Sequence, residues 1–506
     1  MAKILDSYLK ENLDKGLDAK MVAYLASLET INEVSPSVAA YIVNELADQR
    51  SNLKLIASEN FSSEAVQLAM GNLLTDKYSE GFPFHRFYAG CDNVDAIEAE
   101  AVEKACELFG CDHAYVQPHS GADANLCAYW AILNHKVQVP KLEEIGITNP
   151  SALSREDWDS VRKAVGNQRL LGMDYYSGGH LTHGYRQNVS AQMFDAYSYT
   201  VNKETGLLDY DELEKMVKEI KPLIFLAGYS AYPRKINFKK LSDIAHENGA
   251  VFMVDMAHFS GLVAGGVFEG EFSPFPWADV VTTTTHKTLR GPRGGMVLCK
   301  EEFKEAVDKG CPLVIGGPLP HVMAAKTVAF TEALSDSYKD YAKKIVENSN
   351  VLANAFIERG VKVATGGTDN HLMLLDVTNF DLNGKQAEFV LRTAGITLNR
   401  NALPFDPNGP WYTSGLRIGT PAVTSLNMGK EEMVEIAEII STVLKNSTPT
   451  ILKKGKNAGK PSKAKAVCKE EVRVEMKKRV EALLNKFVLY PSLDLEFLQK
   501  NFPLNN

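Results

Sequence analysis

Apolar and polar positions along the 506-residue chain fall into distinct regimes. Over roughly the first 60 residues, apolar side chains recur at helical spacing, as in VSPSVAAYIVNELADQRSN, where Ser35 and Pro36 predict a helix start. From about 100 to 300 two patterns alternate. Amphipathic stretches such as DAIEAEAVEKACELFG and FKKLSDIAHENG separate short apolar runs that end in small or polar residues: HAYVQPHSG, LIFLAGYSA, VFMVDMAH and VVTTTTHK. Apolar runs joined by helices predict a mostly parallel sheet with both faces covered. Ligands bind such sheets just beyond the carboxyl ends of the strands, and His119, Ser230, Asp255, His258 and Lys287 fall there. A long helical stretch over about 321–359 follows, then shorter elements such as NHLMLLDV and GKEEMVEIAEIISTVLK. The expectation is an α/β protein with a helical N-terminal arm (1–65), a large α/β domain with a mostly parallel central sheet (66–335) and a C-terminal α+β small domain (336–506). The stretch of about 136–170, mixed in composition, reads as an insertion in the large domain.

Composition changes this picture mainly by exclusion. The 45% of apolar residues supply a large core, and a net charge of −8 argues against a surface built to grip nucleic acid. One segment departs from the average. Lys453 to Lys469, KKGKNAGKPSKAKAVCK, holds seven lysines and no acidic residue, and reads as a mobile, solvated insertion over about 451–469. RNA or another anionic partner is the sharper alternative for it. The seven cysteines show no CxxC spacing, so neither a disulfide framework nor a metal site is expected, and a reducing compartment fits. The opening MAKILDSYLKENLDKG lacks a signal-peptide pattern, and no apolar stretch reaches 18 residues. A cytoplasmic protein without a membrane span is expected.

The candidate chemistry starts with Asp255 and Lys287, each at the end of an apolar run and 32 residues apart. That spacing accommodates a strand, a connecting helix and the next strand, which brings both side chains to one rim. An amine beside a carboxylate there suits an aldehyde cofactor, the lysine holding it covalently and the aspartate keeping a ring nitrogen protonated. Alone, such a pair is common in α/β proteins. The surrounding string TTTTHKTLRGPRGG is not.

With that string, the segments LIASENF (55–61), DKYSEGFP (76–83), YAGCDNVD (88–95), VQPHSGADAN (116–125), GGHLTHG (178–184), VDMAHFSGLVAGG (254–266), GGTDNHL (366–372) and TSGLRIGTPA (413–422) resemble serine hydroxymethyltransferase, in the family's order, over about residues 50–445. The resemblance implies an aspartate-aminotransferase-like fold, a pyridoxal 5'-phosphate cofactor, tetrahydrofolate as co-substrate, and a homodimer with shared sites. It assigns Lys287 as the cofactor-bearing lysine, Asp255 as partner of the ring nitrogen and His180 as the imidazole stacked on the ring. Ser230 and His258 fall near the ring hydroxyl, and just before the lysine Thr284 belongs to the catalytic set and His286 to the cofactor contacts. Ser120, Gly121 and Ala122 match the phosphate turn, where a helix start favours anions. Tyr78, Gly316 and Gly317 match phosphate contacts from the second subunit. Arg417 matches the planar cation for the substrate carboxylate, helped by Ser58 and Tyr88. Glu80 matches the acid/base carboxylate at the serine hydroxyl and the folate. Tyr175, Gly179, Leu181 and Asn401 fall at the folate positions, and Arg293 supports the lysine or the phosphate region.

The chain also departs from the family pattern. Ala122 and Asp123 replace a serine and a glutamine, Leu313 and Val314 a glycine pair, Tyr175 a leucine, and Phe84 and His85 a glycine and a lysine. The implied activity is the reversible conversion of L-serine and tetrahydrofolate to glycine and 5,10-methylenetetrahydrofolate. The departures around Tyr175 and Phe84 motivate an alternative, a folate-independent aldolase of β-hydroxy amino acids or an alanine racemase-like enzyme. A non-catalytic member that binds RNA or protein through its lysines is a further alternative.

Overall fold

The computed structural model describes residues 4–147 and 149–504. Its centre is a seven-stranded sheet of β1 (His113–Tyr115), β2 (Arg169–Met173), β3 (Asp195–Tyr199), β4 (Ile224–Gly228), β5 (Val251–Asp255), β6 (Val280–Thr284) and β7 (Gly295–Cys299), in the spatial order β1-β7-β6-β5-β4-β2-β3. Strands β2 to β6 run parallel, and β7 opposes its neighbours β1 and β6. Every residue of β4 to β7 is buried, which is why these strands read as unbroken apolar or threonine runs.

Alternate residues of each strand serve opposite faces. Phe225, Phe252, Val254 and Val281 pack with the helices Asp92–Phe109 and Phe238–Glu247. Ile224, Leu226, Met253 and Val280 pack with the helix Gly121–Leu133. The register pairs Gly228 with Asp255 and Asp255 with Thr282, so three strands end together at one rim. At Gly228, with φ of 127°, a Cβ would stand 2.1 Å from the Asp255 carbonyl oxygen, an approach only glycine permits.

The helical stretch expected over 321–359 is two helices, Pro320–Ala333 and Asp336–Glu358. The chain restarts at Ser335, whose hydroxyl accepts from the Tyr338 amide. The second leads into an antiparallel sheet ordered Lys362–Val363, Leu372–Asp376, Gly415–Gly419, Asn399–Asn401. Asn370 fastens this part to the central one by donating to the Tyr229 hydroxyl (3.1 Å) and the Tyr232 carbonyl (3.0 Å).

Two sequence expectations change. The stretch 136–170 holds the helices Val139–Ile145 and Arg155–Gly166, but its last residues already belong to β2, so any insertion ends before Arg169. The lysine-rich segment is a loop only at its exposed tip. Pro461–Cys468 is a strand paired with Ser447–Ile451, with Ser462, Ala466 and Cys468 buried and Lys463 and Lys465 exposed between them.

The helices Ile4–Asn12, Ala19–Val34 and Pro36–Ser51 share an apolar core with Leu489, Leu493, Leu498 and Phe502 of the C-terminal tail. Arg50 locks that junction by donating to the carbonyls of Leu489, Tyr490 and Leu493. Among the described residues no helix is long and apolar enough to cross a membrane, and all seven cysteines are free.

Candidate active site

A cavity of about 690 Å³ opens where β4, β5 and β6 end, between the central sheet and the small antiparallel one. Asp255, the last residue of β5, is its fixed anion. Asn125, on the helix Gly121–Leu133, donates to Asp255 Oδ2 at 3.0 Å, His183 Nε2 lies 3.1 Å from the same oxygen, and the Ala257 amide donates to Oδ1 at 3.0 Å. The His183 tautomer follows from its other nitrogen. Nδ1 accepts the His180 amide (3.4 Å), so the proton sits on Nε2, aimed at the carboxylate. Burial alone would raise the Asp255 pKa. The hydrogen bonds from His183 and Asn125 instead hold it well below the usual carboxylate range.

A chain of donors continues to His180. Thr282 Oγ1 donates to Asn125 Oδ1 (2.6 Å), Asn125 Nδ2 donates to Thr182 Oγ1 (2.7 Å), and Thr182 Oγ1 donates to His180 Nδ1 (2.8 Å). His180 lines the cavity, and burial lowers its pKa to about 4, so it is neutral.

Two cations face this anion. Lys287, three residues past β6, has no hydrogen-bonding or ionic partner for its amine among the described residues. Burial, countered only in part by Asp255 and reinforced by Arg417 and Arg293, lowers its pKa to about 8. Its backbone is held from another segment, Asn60 Nδ2 donating to the Lys287 carbonyl at 2.9 Å. Arg417 lies on the strand Gly415–Gly419, half-buried. It donates to the Ser230 carbonyl (2.7 Å) and to Asn399 Oδ1 (3.2 Å), and no carboxylate pairs with it among the described residues. Burial lowers its pKa to about 10, so it keeps its charge at neutral pH.

At the start of the helix Gly121–Leu133, Ser120, Gly121 and Ala122 line the cavity. Ser120 Oγ accepts the Asp123 amide at 3.2 Å, which leaves its own proton to donate. A Cβ on Gly121 would come within 2.8 Å of Thr284 Cγ2, so the turn is a cradle only glycine leaves open. Asp123, the family departure, does not line the cavity; its carboxylate lies 3.9 Å from His119 Nδ1. Ser58, Ser230, His258, Thr284, His286, Arg293, Gly179 and Asn401 also line it, with Tyr175 and Leu181 on its exposed side. A pyridoxal phosphate fits this donor set. The cavity lining combines an anion-accepting helix start, a fixed carboxylate and an unpartnered amine.

Tyr78, Glu80, Tyr88, Gly316 and Gly317 do not join this cavity within one chain. They cluster elsewhere, the Tyr78 and Tyr88 hydroxyls donating to Glu80 at 3.1 and 3.3 Å, with Gly317 packed on the Tyr78 ring. His119 Nε2 lies 3.3 Å from the Gly317 carbonyl oxygen, beside this cluster rather than in the cavity.

Four residues of the site were not assigned from sequence. Asn125 and His183 hold Asp255, Asn399 orients Arg417, and His371 Nε2 lies 3.2 Å from His258 Nδ1. Asn125, His183 and His371 stand inside the motifs quoted above, but their partners lie 72 to 130 residues away, where spacing carries no signal.

Comparison with known proteins agrees with this geometry. The family described as serine hydroxymethyltransferase matches residues 31–145 and 161–440. The chain is 58% identical over 498 residues to the serine hydroxymethyltransferase of Treponema pallidum (strain Nichols), covering 98% of this chain and 86% of that protein. It is 54% identical over 474 residues to that of Cutibacterium acnes (94% and 96% covered) and 51% identical over 500 residues to that of Chlamydia trachomatis serovar D (98% and 100% covered). The break in the family match, 146–160, falls within the stretch read as inserted. The cavity and these matches over nearly its whole length together establish that the chain belongs to the serine hydroxymethyltransferase family.

Proposed function

We propose that this cavity converts L-serine and tetrahydrofolate reversibly to glycine and 5,10-methylenetetrahydrofolate, with pyridoxal 5'-phosphate held on Lys287. One observation carries the reading: Lys287 and Arg417, cations without a carboxylate partner among the described residues, share a cavity with a carboxylate fixed by its own hydrogen bonds. The bound cofactor supplies an electron sink for charge at the substrate's α-carbon.

The chain's residues do the rest. Asp255, charged across the working pH range, keeps the ring nitrogen protonated. His180, Ser230, His258, Thr284 and His286, which line the cavity, would hold the cofactor around Lys287. Ser120 with the amides of Gly121 and Ala122 receives the phosphate. Arg417, oriented by Asn399 and assisted by Ser58, grips the substrate carboxylate. That grip would fix the substrate's orientation in the cavity. Tyr175, Gly179, Leu181 and Asn401 offer the wall for the folate.

Glu80 handles the proton of the serine hydroxyl, and here the single chain falls short, because Glu80, Tyr78 and Tyr88 lie outside the cavity. Phe84, Phe87, Tyr78 and Tyr88 are all exposed on that face. A homodimer that turns this face, with Gly316 and Gly317, toward the cavity of a second copy completes each site. The seven free cysteines suit a reducing, cytoplasmic setting.

Serine turnover measured with and without tetrahydrofolate tests the reading. Glycine formation from serine should depend on the folate. Equal turnover without it would favour the aldolase or racemase alternative.

A further inference from the structure

Lys326 is a charged residue that the proposed chemistry does not use, yet it is only 1% exposed. It projects from the helix Pro320–Ala333, and its Nζ lies 2.5 Å from the Val116 carbonyl oxygen, 3.1 Å from that of Pro118 and 2.7 Å from that of Gly295. Glu98, the carboxylate that acts on it through space, is itself bonded to Arg86 and Gln117. Three acceptors call for three N–H donors. An ammonium has three and a neutral amine two, whose lone pair would then face a carbonyl oxygen. Burial pulls the other way and lowers the pKa to about 7. The geometry favours the charged form, because an unmet buried carbonyl is itself costly.

We propose that Lys326 is a positioning residue for cofactor capture: its ammonium staples the phosphate-binding turn to the strand that follows the Lys287 loop. This rests on the reading that the cavity takes pyridoxal phosphate. Val116 and Pro118 lie between β1 and Ser120, and Gly295 opens β7. The two segments meet with no slack. The Gly295 amide donates to the Pro118 carbonyl at 2.9 Å, and a Cβ on Gly295 would stand 2.2 Å from the Ser120 carbonyl oxygen. The next residue back, Gly294, accepts from the Thr285 amide at 3.1 Å, which carries the staple into the loop of Lys287. Gln117, between the two stapled carbonyls, points elsewhere. Its Nε2 donates to the Gly81 carbonyl and to Glu98 Oε1, both at 2.7 Å. One cation thus fixes the turn for the phosphate against the start of β7 and, through Gln117, the loop that carries Tyr78 and Glu80, while the Lys287 loop keeps its separate tie from Asn60.

The test compares wild type, Lys326→Met and Gly294→Ala, the last because a Cβ there would stand 2.6 Å from Lys326 Cε and displace it. Equilibrium dialysis gives the dissociation constant for pyridoxal phosphate, and the rate at which apo-protein captures pyridoxal, which has no phosphate, serves as the control. Thermal unfolding of each apo-protein reports folding. Both variants should bind pyridoxal phosphate about 10- to 100-fold more weakly, the scale of lost charge-assisted hydrogen bonds, while capturing pyridoxal nearly as wild type does. If Lys326→Met does not fold, Gly294→Ala alone decides. Binding of pyridoxal phosphate within about twofold of wild type, or an equal loss for pyridoxal, would overturn the inference. A wild-type protein that binds no pyridoxal phosphate would instead overturn the cofactor reading itself.

Discussion

Lys326 and Arg86 have their donors committed inside the protein. Lys326 meets three carbonyls, and Arg86, its side chain 3% exposed, bonds Asp95 at 2.7 Å, Glu98, and the carbonyls of Ser79 and Gly81. Lys287 and Arg417, in the cavity nearby, have no carboxylate partner among the described residues. The composition of the two pairs is identical and their uses differ. A cation whose donors are all taken up by internal acceptors holds loops in register, whereas a desolvated cation with donors left over marks where a ligand must bring the opposite charge or the electrophile. The depressed pKa of Lys287, about 8, expresses that shortfall.

Substitutions separate the two regions. Lys287→Ala should remove activity by on the order of 10³-fold or more, the scale for a covalent catalytic group, with its melting temperature kept. Arg86→Met should do the opposite. Leaving Glu98 and Asp95 without their cation should cost about 3–5 kcal/mol of stability, read by denaturant unfolding. Arg417→Lys should lower kcat/KM for serine about 10- to 100-fold, since an ammonium cannot reproduce a bidentate grip, while the affinity for pyridoxal phosphate holds. Equal loss of both would place Arg417 with the structural cations.

The pH dependence sharpens the same contrast. Only the neutral Lys287 amine attacks an aldehyde. The rate of cofactor capture by apo-protein should therefore rise with pH, level off above about 8, and fall about tenfold for each unit below it. A profile still rising at pH 10 would indicate an ordinary lysine. His183→Gln should have a smaller effect, about tenfold or less in kcat, because Asn125 still holds Asp255. Alanine at Lys453, Lys454 and Lys456, on the exposed hairpin tip, should change activity and stability least, within about 0.5 kcal/mol of stability.

The apolar runs ending at Asp255 and Thr284 made the sheet and its rim legible, because buried parallel strands have no polar face to disguise them. Adjacent strands then brought Asp255 and Lys287 together as their spacing predicts. The support of Asp255 was not legible, since Asn125 and His183 reach it across 130 and 72 residues. The hairpin at 461–468 was hidden by composition. Lys463 and Lys465 alternate with small residues, a strand period that the seven lysines of the wider stretch Lys453–Lys469 conceal. The N-terminal helices were visible from their periodicity. Their partner, the tail holding Leu489 and Phe502, was not, because only folding brings the chain's two ends together.

The most direct measurement is the visible absorption of the purified protein with pyridoxal phosphate, alone, with glycine, and with glycine plus tetrahydrofolate. The account predicts a lysine-bound cofactor band absent from Lys287→Ala, and a longer-wavelength band with glycine that strengthens when the folate is added. No band with pyridoxal phosphate, or a glycine response that tetrahydrofolate leaves unchanged, would contradict it.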